Sequence, residues 1–110
     1  MANLNDLKTA LLTIGVPVGH YSAFEQSDKY IVWAEYGQAN EVWADGKLQE
    51  QAIGTTVDYF TKTENDANVT AIQRAFNDAE LSWRLESIQY EDDTKFIHFE
   101  WVVEVEKWQE

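Results

Sequence analysis

The rest of this chain is organised around the stretch Lys95-Phe-Ile-His-Phe-Glu-Trp-Val-Val-Glu-Val-Glu106. Successive side chains of a strand point to opposite faces, and this stretch alternates almost without a break. One face is apolar and consists of Ile97, Phe99, Trp101, Val103 and Val105. The other face carries the acids Glu100, Glu104 and Glu106 beside His98 and Val102. Because burial of a large apolar side chain stabilises a fold by about 1.5–3 kcal/mol, we expect other elements to cover the first face.

The composition indicates one domain, residues 1–110, with a single core. The chain has 110 residues, of which 45% are hydrophobic and 14% aromatic, enough for one core but not for two. There is no cysteine, which excludes disulfides and thiolate chemistry and is typical of a reducing compartment. The N-terminal residues lack the basic start of a signal peptide, and no run of about 20 apolar residues is present. We therefore expect a soluble, intracellular protein with no membrane partner.

The chain is strongly acidic. The formal net charge is −12, from 20 acidic and 8 basic residues. Such a chain repels phosphate backbones, and the few basic residues are too scattered to form a nucleic-acid patch. We expect no direct sequence-specific binding to nucleic acid. The acidity instead favours basic partners, over a screening length of roughly 8–10 Å at cellular salt.

Two helices are predicted from apolar residues spaced three and four apart. The first contains Leu4, Leu7, Leu11 and Ile14, with Asn5-Asp6 as its cap and Gly15 as its end. The second contains Val69, Ile72, Phe76 and Ala79, and Asn65-Asp66 supplies its N-cap. Residues 16–27, which contain glycine and proline, are predicted to form an extended loop.

The remaining segments read as strands and turns. A strand is predicted at 30–35, a break at 37–40, a short strand at 41–44, and a turn at Asp45-Gly46. A long strand follows at 47–62, in which Gly54 indicates a bulge or a close backbone approach. Its polar start predicts that the Asp45-Gly46 hairpin projects beyond the body of the sheet. Residues 81–90 and the opening stretch form the last two strands, joined by a turn at 91–94.

The sequence therefore predicts an α+β fold of order α-β-β-β-α-β-β. Two helices with one apolar stripe each cannot cover both faces of a sheet. We expect both helices on one face of a four- to five-stranded, mainly antiparallel sheet. The aromatic residues Trp33, Phe60, Trp83 and Trp101 exceed what two short helices need to cover, so we expect leftover apolar surface that subunit packing would bury.

No catalytic or cofactor site is predicted. His20 and His98 are the only histidines, and no H-E-x-x-H, H-x-H or G-x-S-x-G motif occurs. His98 on the acidic strand face is predicted to be solvated, with its charged form favoured by Glu100 and its neighbours. The acids at 91–93 and 64–66 lack the spacing of a calcium loop and fit a hairpin turn and a helix cap. We expect a protein that is not an enzyme and holds neither metal nor cofactor.

The candidate interface residues are Trp43, Asp45, Gly46, Lys47 and Trp108. Trp43 and Trp108 lie among polar and charged residues, where a tryptophan either anchors a partner or folds back onto its own domain. The sequence leaves both readings open. A second candidate surface is the acidic strand face with Glu100, Glu104 and Glu106, which is otherwise a simple solvated face.

Several segments resemble small tail components of siphophages and prophages of Gram-positive bacteria. These segments are Tyr30-Ile-Val-Trp-Ala-Glu-Tyr-Gly-Gln38, Ala44-Asp-Gly-Lys47, Gly54-Thr-Thr-Val-Asp-Tyr-Phe-Thr-Lys62, Leu81-Ser-Trp-Arg-Leu-Glu-Ser-Ile-Gln-Tyr90 and His98-Phe-Glu-Trp101. The likeness runs from the first helix to about Val105. The order of elements is also similar to that of tail-terminator, or tail-completion, proteins.

The resemblance implies a virion structural protein without catalytic residues. Tail terminators form a hexameric ring that stops polymerisation of the tail tube and joins the tail to the head. The expected partners are therefore further copies of this chain, the tail tube protein and the head-tail connector protein. The expected location is the host cytoplasm during assembly and then the virion. The alternatives are an acidic DNA mimic that binds a basic host protein, or another minor tail or head-completion component.

Overall fold

The computed structural model describes residues 2–23, 27–44 and 47–105, with the backbone alone for 38–44 and 47–51. The fold is α+β, with two helices and one five-stranded sheet of order β1-β2-β3-β5-β4. In chain order the elements are α1 (Leu4–Leu12), β1 (Val18–His20), β2 (Lys29–Ala44), β3 (Lys47–Thr61), α2 (Ala67–Asp78), β4 (Ser82–Tyr90) and β5 (Ile97–Val105). The element order has the predicted form α-β-β-β-α-β-β, but its strands are not all the predicted ones: 30–35 and 41–44 belong to one strand, and Val18–His20 is a strand that the sequence did not predict.

Both helices pack on one face of the sheet, as predicted. Apolar side chains from the helices and from odd-numbered sheet positions belong to one buried cluster; they include Leu7, Leu11, Ile72, Phe76, Ile31, Val57, Tyr59, Trp101 and Val103. We call this side of the sheet the helix face. The indole of Trp101 is fully buried, contacts the ring of Phe76 edge-on, and donates a hydrogen bond to Gln73 over 3.1 Å. The opposite side, which neither helix covers, is the open face.

The helix caps explain where the two helices begin. Asn3, rather than the predicted Asn5 or Asp6, caps α1; its side chain accepts from the Asp6 backbone N–H, and the Asp6 carboxylate accepts from the Asn3 N–H. This is a reciprocal capping box. The predicted cap of α2 is confirmed at Asp66, whose side chain accepts from the Asn68 N–H.

The first strand corrects the sequence prediction. Residues 16–27 were expected to form a loop throughout, but Val18–His20 pairs parallel to β2, so the sheet is mixed. The pairing is extended by hydrogen bonds from Ile31 to Pro17 and from Tyr21 to Trp33. Three residues are too few to show an alternating pattern, so this strand is defined only by its pairing with β2. Gly19 is required there because an added Cβ would lie 2.0 Å from the Ser22 carbonyl oxygen.

The second strand is also longer than predicted. The expected break at 37–40 does not end the strand, because β2 runs without interruption from Lys29 to Ala44. Its irregular residues are absorbed by register shifts between Glu35 and Gly37 and between Gln38 and Asn40. Such shifts are typical of β-bulges, which bend a strand without ending it. The predicted strands at 30–35 and 41–44 are therefore one strand.

Gly54 fulfils its predicted role. It faces the first of these register shifts, and an added Cβ would lie 2.3 Å from the ring of Tyr36. The tyrosine ring therefore lies directly on the Gly54 backbone, a close approach that a Cβ at this position would displace.

Candidate interaction surfaces

The hairpin of β2 and β3 extends beyond the rest of the described sheet. Pairing of β3 with β5 ends at Ile53 and Val105, whereas pairing of β2 with β3 continues from Asn40↔Ala52 to Ala44↔Lys47. We call residues 38–44 and 47–52 the ribbon. The described molecule measures 51 × 25 × 24 Å. Because residues 45–46 and 106–110 lie outside the described residues, the predicted projection of this hairpin stays a prediction. A two-stranded ribbon without a covering layer is at best marginally stable in water.

Most predicted interface side chains fall outside the described residues. The backbones of Trp43 and Lys47 lie in the ribbon, paired with Leu48 and Ala44 respectively, but their side chains are outside the description. Asp45, Gly46 and Trp108 also lie outside the described residues. Trp43 and Trp108 were predicted either to anchor a partner or to fold back onto their own domain, and both alternatives therefore stay predictions.

The acidic face is the open face. Glu100 and Glu104 lie there, and both are half-buried. Glu100 accepts a 3.3 Å hydrogen bond from the Ser87 hydroxyl, and Glu104 lies in register with Gly54 and Ser82. Glu106, the third predicted acid, lies outside the described residues. The acids are thus spread along one strand between neighbours, rather than gathered at one point.

His98 on the same face has a specific partner. Its Nε2 lies 2.7 Å from Oδ1 of Asp58 on β3, and its Nδ1 lies 3.9 Å from Oε2 of Glu91. The imidazole stacks on the ring of Phe60, with centroids 4.2 Å apart. Only 19% of its side chain is exposed. The predicted solvated histidine is therefore wrong, because a carboxylate forty positions away and an aromatic ring enclose it.

The surroundings favour the charged form of His98. The hydrogen bond with Asp58 raises the pKa of His98, the charges of Asp58, Glu91 and Glu100 add to this, and burial opposes it. The resulting ion pair offsets part of the negative charge of the open face. Among the described residues, no group of three or more His, Cys, Asp or Glu side chains is arranged to hold a metal ion.

An exposed apolar row lies on the edge strand β4. Leu85, Ile88 and Tyr90 are 39%, 58% and 59% exposed. We call these three residues the apolar edge. They are in register with Trp101, Phe99 and Ile97 of β5, so they lie on the helix face. Helix α2 contacts β4 near the start of that strand, where Phe76 packs against Trp83.

Sequence reasoning missed this surface. Leu81, Trp83 and Leu85 alternate at odd positions, whereas Ile88 and Tyr90 continue at even ones. That change of parity is the signal of the bulge now found between Leu85 and Ser87. Exposure itself has no sequence signal here, because it depends on how far α2 reaches across the sheet.

A second aromatic group lies beside β1. The imidazole of His20 is stacked between the rings of Tyr21 and Trp33, and its Nε2 contacts Oε1 of Glu35. Burial opposes ionisation of Glu35, but hydrogen bonds from His20, the backbone and Tyr21 outweigh it and lower the pKa of that carboxyl. Glu35 in turn raises the pKa of Tyr21, chiefly through their hydrogen bond. The group fixes the short strand β1 against β2.

A shallow groove of about 790 Å³ separates the outer surfaces of α1 and α2. Its walls are mainly small side chains, with Arg74 and Asp78 among the charged ones; the small residues include Ala2, Ala10, Ala71, Ala75 and Ala79. These small residues let the two helices approach closely, which is a sufficient reason for their presence.

No protein-family model and no curated protein sequence matches this chain. Within the described residues, neither helix has the length and hydropathy needed to cross a membrane.

Proposed function

We propose that this protein is a structural component of a phage or prophage tail, and specifically a ring-forming tail terminator that caps the tail tube and joins it to the head connector. It acts by binding other proteins, and it is not an enzyme. Its partners are further copies of itself, the tail tube protein and the connector protein. It assembles in the host cytoplasm and remains in the virion.

The hairpin of β2 and β3 carries this proposal. Three of the segments that resemble the tail-component family, at 30–38, 44–47 and 54–62, belong to β2, β3 and the hairpin that joins them. Five pairs of ribbon residues have no third strand beside them in the described part of the chain. A hairpin of this kind gains stability when another chain covers it. A subunit whose hairpin extends past the rest of its sheet can contact the neighbouring subunit of a ring.

The charge agrees with a conduit for DNA. A net charge of −12 prevents the phosphate backbone from adhering as it slides past. The same charge opposes self-association at low ionic strength, because like-charged subunits repel one another. Ring formation should therefore strengthen as salt screens this repulsion.

Light scattering across a wide range of protein and salt concentration tests the ring. The proposal predicts a closed species of about six subunits whose population grows with salt. Addition of the protein to purified, unjoined tails and heads then tests its role, since joined particles should increase. Unchanged joining at a concentration where the ring is present contradicts the proposal.

A DNA mimic is the second candidate, favoured by one observation. The carboxylates of Asp58, Glu100 and Glu104 lie on one sheet face that neither of the two described helices covers. In a mimic they would stand in for phosphates and bind a basic host protein. Pull-down against host lysate at low and high salt separates the candidates: tight, salt-sensitive capture of a basic nuclease by the monomer supports the mimic.

A further inference from the structure

We propose that two copies of this chain pair along their apolar edges, with their β4 strands antiparallel about a two-fold axis that passes between Glu86 and Ser87. The occupant of the apolar edge is thus a second copy of this chain. The contact goes beyond the proposed function and does not depend on it, because a two-fold pair is complete with two subunits.

The outer edge of β4 can take a further strand. In the described part of the chain, β4 is the last strand of the sheet and pairs with β5 alone. Its outer backbone groups therefore have no strand beside them in that part of the chain, and Leu85, Ile88 and Tyr90 are exposed along it. A free edge of this kind, with apolar side chains on it, recruits another strand.

The apolar pattern of β4 is the same in both directions. Its side chains on the helix face are Trp83, Leu85, Ile88 and Tyr90, which are in register with Val103, Trp101, Phe99 and Ile97 of β5. Because the bulge between Leu85 and Ser87 changes the parity, positions 83 and 90, and likewise 85 and 88, lie equally far from the point between 86 and 87. A second β4 strand that is turned about this point therefore presents the matching pattern.

This symmetry selects one register of the pair. Antiparallel pairing about the point between 86 and 87 places Leu85 opposite Ile88 of the partner subunit and Trp83 opposite Tyr90 of the partner subunit. A register that differs by one residue would place Ile88 opposite Arg84 of the partner subunit, so that apolar and polar faces no longer match. The bulge, which on most edges hinders pairing, here lies on the axis and makes the two strands complementary.

The exposed end of each strand meets the covered end of the other. Helix α2 packs on β4 at Trp83, where Phe76 contacts the indole ring and Asn77 accepts a 2.8 Å hydrogen bond from the indole N–H. Tyr90, near the other end, is 59% exposed. In the pair, Tyr90 lies beside Trp83 of the partner subunit, so it is covered by the part of the sheet on which the partner's α2 packs.

The charges on the open face permit the pair. Nε of Arg84 lies 3.1 Å from Oε1 of Glu86, so each carboxylate that approaches the axis has its own arginine beside it. The remaining repulsion is that between two chains of net charge −12. Because salt screens such repulsion, pairing should strengthen as the salt concentration rises.

The absence of cysteine from the sequence allows a direct test by disulfide formation. Glu86→Cys places two thiols beside the axis, whereas Ser82→Cys on the same strand places them about 30 Å apart, at about 3.3 Å per residue. Both parent side chains are exposed. Since a disulfide requires Cα atoms within about 7 Å, oxidation at high salt should produce dimers of Glu86→Cys about tenfold faster than dimers of Ser82→Cys.

A mixture of Arg84→Cys and Gln89→Cys, carrying tags of different size, tests the register. These two positions lie opposite each other in the pair, whereas two copies of either position lie about 17 Å apart. We expect the mixed disulfide to exceed both identical ones about tenfold. Glu86→Cys dimers that form no faster than those of Ser82→Cys, or a mixed disulfide no more abundant than the identical ones, would overturn the proposal.

A matched pair of variants without cysteine supplies an independent measure. Ile88→Lys and Leu12→Lys replace side chains that are 58% and 57% exposed. In sedimentation equilibrium at high salt, Ile88→Lys should weaken dimerisation at least about tenfold, and Leu12→Lys should leave it unchanged. Equal dimerisation of the two variants, or a parent protein that is monomeric at every concentration, would contradict the pair.

Failure of this contact and failure of the proposed function give different results. If the disulfides do not form while the protein still joins heads to tails, the contact is wrong and the function stands. If the pair forms but joining does not occur, the function is wrong and the contact stands.

Discussion

The Nε2 atom of His98 lies 2.7 Å from Oδ1 of Asp58, a contact between β5 and β3 on the open face. The two residues are not direct partners in the ladder, since Asp58 pairs with Glu100 and Phe60 with His98. The imidazole therefore reaches diagonally, over the ring of Phe60. This contact makes the stability of the sheet dependent on pH.

Stability should fall as pH rises through the pKa of His98. That pKa is raised above 6.5 in the folded state, so the stabilisation is fully present below about pH 6.5 and is lost as the folded state loses its proton. Urea unfolding between pH 6 and about pH 9 should show a falling free energy of unfolding, and Asp58→Asn should remove most of this slope. An unchanged slope in Asp58→Asn would show that the pair does not cause it.

Asp66 should be a strong stabilising residue. Its carboxylate accepts hydrogen bonds from the Tyr59 hydroxyl at 2.6 Å, the Thr61 hydroxyl at 2.7 Å and the Asn68 N–H at 2.9 Å. Asp66→Ala removes a helix cap and takes away the acceptor of the Tyr59 and Thr61 hydroxyl groups, so we expect a loss of roughly 2–4 kcal/mol in the free energy of unfolding. Asn3→Ala, which removes the side-chain cap of α1, should lose about 1 kcal/mol. Equal losses in the two variants would contradict the role of the β3 contacts.

Hydrogen bonds from Tyr59 and Thr61 also lower the pKa of Asp66 against the opposing effect of burial. The stabilisation it provides is present above the ordinary pKa of an aspartate, about 4, and should be lost as pH falls through the lower folded value. Acid unfolding of the Asp66→Ala variant should therefore show a shallower dependence on pH in this range than that of the parent protein.

Gly19→Ala and Gly54→Ala should lower the free energy of unfolding by different amounts, because the added methyl group meets different atoms in each. In Gly19→Ala the Cβ meets the backbone of Ser22, whereas in Gly54→Ala it meets the ring of Tyr36, a side chain that is 57% exposed. The ring can turn away and the backbone cannot. We expect Gly19→Ala to lose about 2–3 kcal/mol and Gly54→Ala about 1 kcal/mol or less. In Tyr36→Ala, the effect of Gly54→Ala should nearly disappear; an undiminished effect would show that another contact is responsible.

Trp43→Ala should impair assembly while leaving the fold intact. If Trp43 anchors the ribbon on a neighbour, its loss should weaken association about thirtyfold, which corresponds to about 2 kcal/mol. Tyr36→Ala removes an exposed aromatic side chain of the same strand within the body of the sheet, and it is the matched control. Ring assembly and joining equal to those of the parent protein would make the assignment of Trp43 wrong.

The elements whose apolar pattern repeats over many residues could be predicted from the sequence. The alternation of β5 identified its buried face, since Trp101, Val103 and Val105 have no exposed surface. The stripe of Ile72 and Phe76 likewise predicted α2, and both residues are fully buried. In these segments local pattern and tertiary environment agree, so the residues alone specify the element and its orientation.

The features that depend on distant partners could not be predicted. Val18–His20 is a strand only because β2 lies beside it, and β2 is continuous only because bulges absorb its irregular residues. No local sequence pattern pairs Asp58 with His98, since forty residues separate them. The exposure of Ile88 depends on how far α2 extends over the sheet. No residue pattern within β4 indicates that distance.

The most direct test of the central claim is the length of tail tubes assembled with and without this protein. The tail tube protein is polymerised alone or with increasing amounts of the purified chain, and tube lengths are measured by electron microscopy. A tail terminator should shorten the tubes in proportion to its amount and appear as a ring at one end only. Tubes of unchanged length with bare ends, at a concentration where this protein forms its ring, would contradict the account.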